Sequence, residues 1–339
     1  MTNKELDDLY RKYVMHTYSN YPVVLTRGEG CRVWDVEGKE YLDFLAGIAV
    51  CSLGHCHPKL VAAVKDQVSK LIHISNWYLN EPQIRLAQLL VENSFADRAF
   101  FCNSGAEANE AAIKLARKWA KETKGRECYE IICIDLAFHG RTLATITASG
   151  QEKLHQGFEP LVPGFKYVPF NDLDALRQLL GPATAAIMIE PILGESGIIL
   201  PEQGYLKEIR HLCDQQGLLL ILDEVQMGLG RTGSLFAYQQ FDFTPDIMTL
   251  AKALGGGVPI GAMLAKEEVA SHFGPGTHGS TFGGNPLVCA AAIVSFNLLL
   301  EDGVLDNSRR QGAYLLQKLN QLKSEFPIIS EVRGKGLAV

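Results

Sequence analysis

The stretch LLLILDEVQ (residues 218–226) decides the fold. Five consecutive apolar residues with no polar alternation describe a strand buried on both faces, as in a parallel sheet covered by helices. The run breaks at two acids, Asp223 and Glu224. In open α/β sheets ligands bind at the carboxyl ends of the strands, so these acids fall where chemistry is expected. A lone acid at a strand end also commonly caps a turn or pairs with an arginine, and that reading stands beside the first.

Working outward, short apolar runs of the same kind occur at 99–102, 130–135, 185–189, 247–250 and 261–264. They alternate with helical patterns at 59–70, 81–93 and 106–122, which predicts a large α/β domain with a mainly parallel central sheet. Before it, residues 23–47 read as short strands joined by Gly-containing turns, an antiparallel sheet. After it, helical patterns at 286–301 and 307–324 lead to EVRGKGLAV (331–339), which reads as a strand. The expected division is an N-terminal segment of a small α+β domain (1–55), a large domain (56–301) and the start of the small domain's C-terminal part (302–339).

Bulk properties narrow the function classes. The 339 residues are 47% hydrophobic and 21% charged, with 32 basic against 38 acidic side chains and a net charge of −6. No basic run marks a nucleic-acid surface, and no apolar stretch approaches the ~18 residues of a membrane span. The N-terminus, MTNKELDDLYRKYVM, is charged and amphipathic, unlike a secretory signal, so a cytoplasmic protein is expected. Cys102, Cys133 and Cys289 sit in apolar or small-residue runs and read as core residues. The cluster Cys51, His55, Cys56 and His57 has no second ligand pair at zinc-like spacing, and a packed turn is the better reading.

Three features bear on chemistry. In NSGAEANEAAIKLAR (103–117) the Ser104–Glu107 pair predicts a capping box. The small Gly105 and Ala106 of the first turn would let an anion approach the helix N-terminus. A plain capped helix is the alternative. Gly228–Gly233 matches G-x-G-x-x-G, but Asp223–Met227 separate it from the strand and no long helix follows, so a dinucleotide site is rejected. In TLAKALGGG (249–257), Lys252 ends another apolar run. Lysine suits such a place when it is paired or used covalently, and a lysine in a partly dry site forms Schiff bases with carbonyls. A single-phosphate cradle, an acid and an amine together suit pyridoxal 5′-phosphate.

With GEGCRVWDVEGKEYLDF, LGHCHP, FHGRT, IEPILGESG, LLILDEVQMGLGRTG, LAKALGGGVPIGA, HGSTFGGNPL and VRGKGL in order, the chain resembles the class III aminotransferases of PLP fold type I. Within them FHGRT, HISNWYLNEP and HGSTFGGNPL are most similar to the acetylornithine enzymes. The resemblance implies that Lys252 bonds the cofactor aldehyde and acts as base, and that Asp223 keeps the ring nitrogen protonated. It implies that Phe138 and Val225 flank the ring, that Gly105 and Ala106 hold the phosphate, that Gln226 contacts the ring oxygen, and that Glu224 belongs to the same site.

Thr281 is implied to reach the cofactor of a second subunit, making a homodimer. Arg141 is implied to bind a substrate carboxylate, with a surface ion pair as the alternative. Ser280 is implied to add a substrate contact, and Glu195 to act as the gating glutamate. Where ornithine enzymes have a tyrosine, Ile48 is apolar, which suits an acylated amine.

The expected reaction is amino transfer from N-acetylornithine to 2-oxoglutarate. The alternatives are succinylornithine, N-succinyl-diaminopimelate, ornithine or 4-aminobutyrate. Since only three residues follow Gly336, the family's C-terminal segment, with the arginine partner of Glu195, is expected to be missing. Cofactor binding without full turnover is the further alternative this raises.

Overall fold

The computed structural model describes residues 1–339. Strands β1 (Leu25–Glu29), β2 (Arg32–Asp35) and β3 (Glu40–Leu42) form an antiparallel sheet in that order. The other seven strands are β4 (Arg98–Cys102), β5 (Glu130–Ile134), β6 (Phe165–Val168), β7 (Thr184–Ile189), β8 (Leu219–Asp223), β9 (Ile247–Leu250) and β10 (Gly261–Ala265). They make one sheet in the order β4-β10-β9-β8-β7-β5-β6. The pairs β5–β6, β5–β7, β7–β8 and β8–β9 are parallel, while β10 runs antiparallel to both of its neighbours.

Alternate residues of the central strands feed two cores. Ile132, Ile134, Ile187, Ile189, Leu220 and Leu222 face one side; Ile131, Cys133, Ala186, Met188, Leu219 and Ile221 face the other. Burying a side chain of the Leu, Ile or Met kind contributes ~1.5–3 kcal/mol, so continuous apolar strands are stable only under two helical layers. Helix Gly105–Thr123 closes one face with Ala111, Ala112 and Leu115; helices Glu81–Glu92 and Pro286–Glu301 close the other with Leu86, Leu90 and Phe296. Cys102, Cys133 and Cys289 are buried. No single helix is long and apolar enough to cross a membrane.

Two local expectations fail. Strand β6 was not expected, because this four-residue edge strand is mostly half-buried and has neither an apolar run nor clean alternation. Residues 331–339 are not a strand. Gly336 adopts φ +59, Lys335 bridges to Ala338, and the Leu337 N–H donates to the Arg231 carbonyl at 2.9 Å. The chain therefore turns against the 231–232 loop instead of pairing along a sheet.

Candidate active site

A cavity of about 440 Å³ opens at the carboxyl ends of the central strands of the large sheet. Its walls follow from the topology, since adjacent parallel strands end there together. Asp223 is the last residue of β8, Glu190 follows β7, and Lys252 lies just past β9. Phe138, His139 and Arg141 come from the loop after β5, and Ser104–Ala106 from the start of the helix after β4.

Asp223 is 3% exposed and held by three hydrogen bonds. The Val225 N–H donates to its Oδ1 at 3.0 Å, while Asn109 Nδ2 (2.7 Å) and His139 Nδ1 (2.8 Å) contact its Oδ2. Asn109 is itself fixed by the Thr249 hydroxyl, which donates to its Oδ1 at 2.7 Å. A carboxylate so braced in a dry site is preset to stabilise a protonated nitrogen.

Lys252 has φ +45, a left-handed conformation that costs a non-glycine residue ~1–3 kcal/mol. Burial holds its ammonium below the ordinary lysine range, against the opposing pull of Glu195, Asp223 and Glu190. An amine with a lowered pKa is a competent nucleophile and base.

At the helix start the expected capping box is half made. Ser104 Oγ accepts the Glu107 N–H at 3.2 Å, but the Glu107 carboxylate reaches past Ser104 to the Asn103 N–H at 2.6 Å and to Asn103 Nδ2 at 3.1 Å. The N–H groups of Ser104, Gly105 and Ala106 keep no partner within the chain, at the positive end of a 19-residue helix. Gly105 is required by packing, because a Cβ there would lie 2.8 Å from Val225 Cγ1.

Phe138 and Val225 both line the cavity. The exposed Arg141 guanidinium lies 5.5 Å from the Phe138 ring centroid and forms no ion pair. Gln226 Nε2 donates to Glu195 Oε1 at 3.0 Å. Other expected residues lie elsewhere. Glu224 turns away from the cavity, accepting the Tyr238 N–H (2.7 Å) and the Ala237 N–H (2.6 Å), so it braces a neighbouring turn and does not reach the cavity.

Ser280 and Thr281 line a separate groove with Trp77 and Phe100. The groove adjoins the cavity where Asn103 Nδ2 donates to Ser280 Oγ at 3.2 Å. Ile48 lies outside the cavity on a left-handed turn, near Val50, which lines it. Sequence reasoning missed Asn109, His139 and Glu190. Glu190 ends an apolar strand as Asp223 does, a signal that was available; Asn109 reads as an ordinary helix residue.

A half-buried amine, a braced carboxylate and unpaired N–H groups at a helix start, around one cavity between two apolar side chains, fit a phosphate-bearing aldehyde cofactor with a basic ring. That set defines a pyridoxal phosphate site on a parallel sheet. The chain belongs to the class III aminotransferases, which depend on pyridoxal 5′-phosphate: the family model Aminotransferase class-III matches residues 13–339. It is 56% identical over 329 residues to an acetylornithine aminotransferase of Caldanaerobacter subterraneus subsp. tengcongensis, covering 97% of this chain and 84% of that protein. It is 54% identical over 339 residues to one of Methanocaldococcus jannaschii, covering 100% of this chain and 85% of that protein. Its fold matches the ornithine aminotransferase from Toxoplasma gondii ME49 with a TM-score of 0.96 at 40% identity, covering 99% of this chain and 81% of that one.

Proposed function

We propose that the protein moves the terminal amino group of N-acetylornithine to 2-oxoglutarate, giving N-acetylglutamate 5-semialdehyde and glutamate, a step of arginine biosynthesis in the cytoplasm. The observation that carries this is the 56% and 54% identity, over nearly the whole chain, to two acetylornithine aminotransferases.

Pyridoxal phosphate, when bound, supplies an aldehyde that takes up amino groups and a ring that accepts electrons. The chain's residues do the rest. Lys252 would hold the cofactor's aldehyde carbon, and its amine, lowered in pKa by burial, would be the base that takes a proton from the carbon bearing the substrate's amino group. Asp223, positioned by Asn109 and His139, keeps the ring nitrogen protonated. Phe138 and Val225 would confine the ring, the N–H groups of Gly105 and Ala106 would bind the phosphate, and Gln226 would contact the ring oxygen. Arg141 would receive a substrate carboxylate as a planar fork, Ser280 would add its contact from the adjoining groove of a second subunit, and Glu195 would control which substrate's carboxylate enters.

The small domain comprises 1–55 and 302–339, and the cofactor-binding domain 56–301. The working form is a homodimer in which Thr281 serves the second subunit's site. Trp77, which lines that groove and is 93% exposed, supports an apolar contact surface.

The 0.96 TM-score to the ornithine enzyme favours ornithine as a second reading. Side-by-side kcat/KM values with N-acetylornithine, N-succinylornithine and ornithine decide between them. A preference for ornithine overturns the first.

A further inference from the structure

Glu190 is a third carboxylate at the carboxyl ends of the central strands, 4% exposed and next to Asp223's strand. Its two oxygens are both engaged by backbone. Oε1 accepts the Phe138 N–H at 2.9 Å, and Oε2 accepts the Gly194 N–H at 3.1 Å. These amides belong to two different loops. One carries Phe138, His139 and Arg141; the other carries Glu195. A second, exposed bond joins the loops, from the Ser196 hydroxyl to the Leu136 carbonyl.

The placement of Gly194 propagates further. A Cβ on it would lie 2.0 Å from Gln226 Oε1, so the loop sits directly on the Gln226 amide, whose Nε2 in turn holds Glu195. Burial and then the neighbouring Asp223 push the Glu190 carboxyl up to about 7, and its two oxygens accept from loop backbone on both sides, bonds that are strongest in the ionised form. Around it stand Asp223 from β8, His139 from the loop after β5, and Lys252 from the segment after β9.

We propose that Glu190 is a positioning residue which staples the Arg141 loop to the Glu195 loop and thereby sets how tightly the amino donor is held. The inference rests on the transaminase reading above, and it concerns the spacing of two substrate-facing loops, not contact of Glu190 with the reacting atoms.

Glu190→Gln keeps the side-chain volume but turns one acceptor into a donor, so whichever way the amide lies, one of the two N–H groups loses its partner. Glu190→Asp keeps the carboxyl and is one methylene too short to span both. In the full-length, cofactor-loaded protein, amide hydrogen exchange at Phe138 and Gly194 is expected to quicken about tenfold in Glu190→Gln, with β5 and β8 unchanged. KM for N-acetylornithine is expected to rise about tenfold while kcat changes less than about threefold, and the visible band of bound cofactor stays in place.

Unchanged exchange at both amides, or a loss in kcat at constant KM, overturns the staple. If Glu190→Gln does not fold, Glu190→Asp and Gly194→Ala carry the test. Gly194→Ala pushes the same loop from the Gln226 side, so a raised KM supports the staple and an unchanged KM in both variants overturns it. If the native protein ignores N-acetylornithine, the transaminase substrate reading fails, while the exchange measurement and the KM of whichever amine is accepted still judge Glu190.

Discussion

Lys252 combines a left-handed backbone with a half-buried amine whose pKa burial lowers. Lys252→Ala should leave the fold intact and lower kcat at least ~10³-fold, measured as coupled glutamate formation. Near-normal turnover would remove the lysine from the chemistry. At this scale the sequence was legible where a polar residue interrupts an apolar strand, as at Asp223 and Lys252. It was less legible between adjacent residues: Asp223 and Glu224 are both carboxylic acids at the end of β8, yet one faces the cavity and the other lies under a turn. Nor could it place Asn109, whose contact with Asp223 spans 114 positions.

The helix Gly105–Thr123 is positioned by both its cap and its first turn. Gly105→Ala brings a Cβ to 2.8 Å from Val225 Cγ1, so the first turn must shift. Its cofactor Kd should rise about tenfold by equilibrium ultrafiltration, with thermal stability little changed, if the anion-binding N–H groups lie there. An unchanged Kd would detach this turn from the phosphate.

The turn after β8 gives a pH prediction. Burial pushes Glu224 from 4.5 up to about 8, despite its two backbone donors. A carboxyl raised on folding favours its protonated form, so its stabilising contribution is complete below 4.5 and is lost as pH climbs to about 8. Each unit is worth up to ~1.4 kcal/mol. Glu224→Gln cannot ionise, so urea unfolding should show it gaining on the native protein across that window. A pH-independent difference would refute the assignment. The elements that were read, such as the helices at 81–93, 106–122 and 286–301, have ends off by a few residues at most, while the amphipathic helix Tyr205–Gln216 was missed. The short edge strand β6 and the 331–339 turn were not, because partners distant in the chain define them.

At the scale of the molecule, the cavity and the Ser280–Thr281 groove meet but do not merge within one chain. If Thr281 serves a second copy's site, a Thr281→Asp subunit spoils its neighbour's phosphate contact while keeping its own lysine. Mixing it with Lys252→Ala subunits by refolding should restore about a quarter of native activity, since half the dimers are mixed and each has one sound site. No recovery, with light scattering showing dimers, would confine each site to a single chain.

The sheet order has one more consequence. The cavity wall draws on segments as far apart as 103–106 and 251–260, which the strand order β4-β10-β9-β8-β7-β5 lays side by side. A molecule clasped there is a late-arriving rivet: it can be gripped only after almost the entire central layer has assembled. Its grip becomes a gauge of the architecture, so damage to any of those strands, however remote from the lysine, should register first as a looser coenzyme.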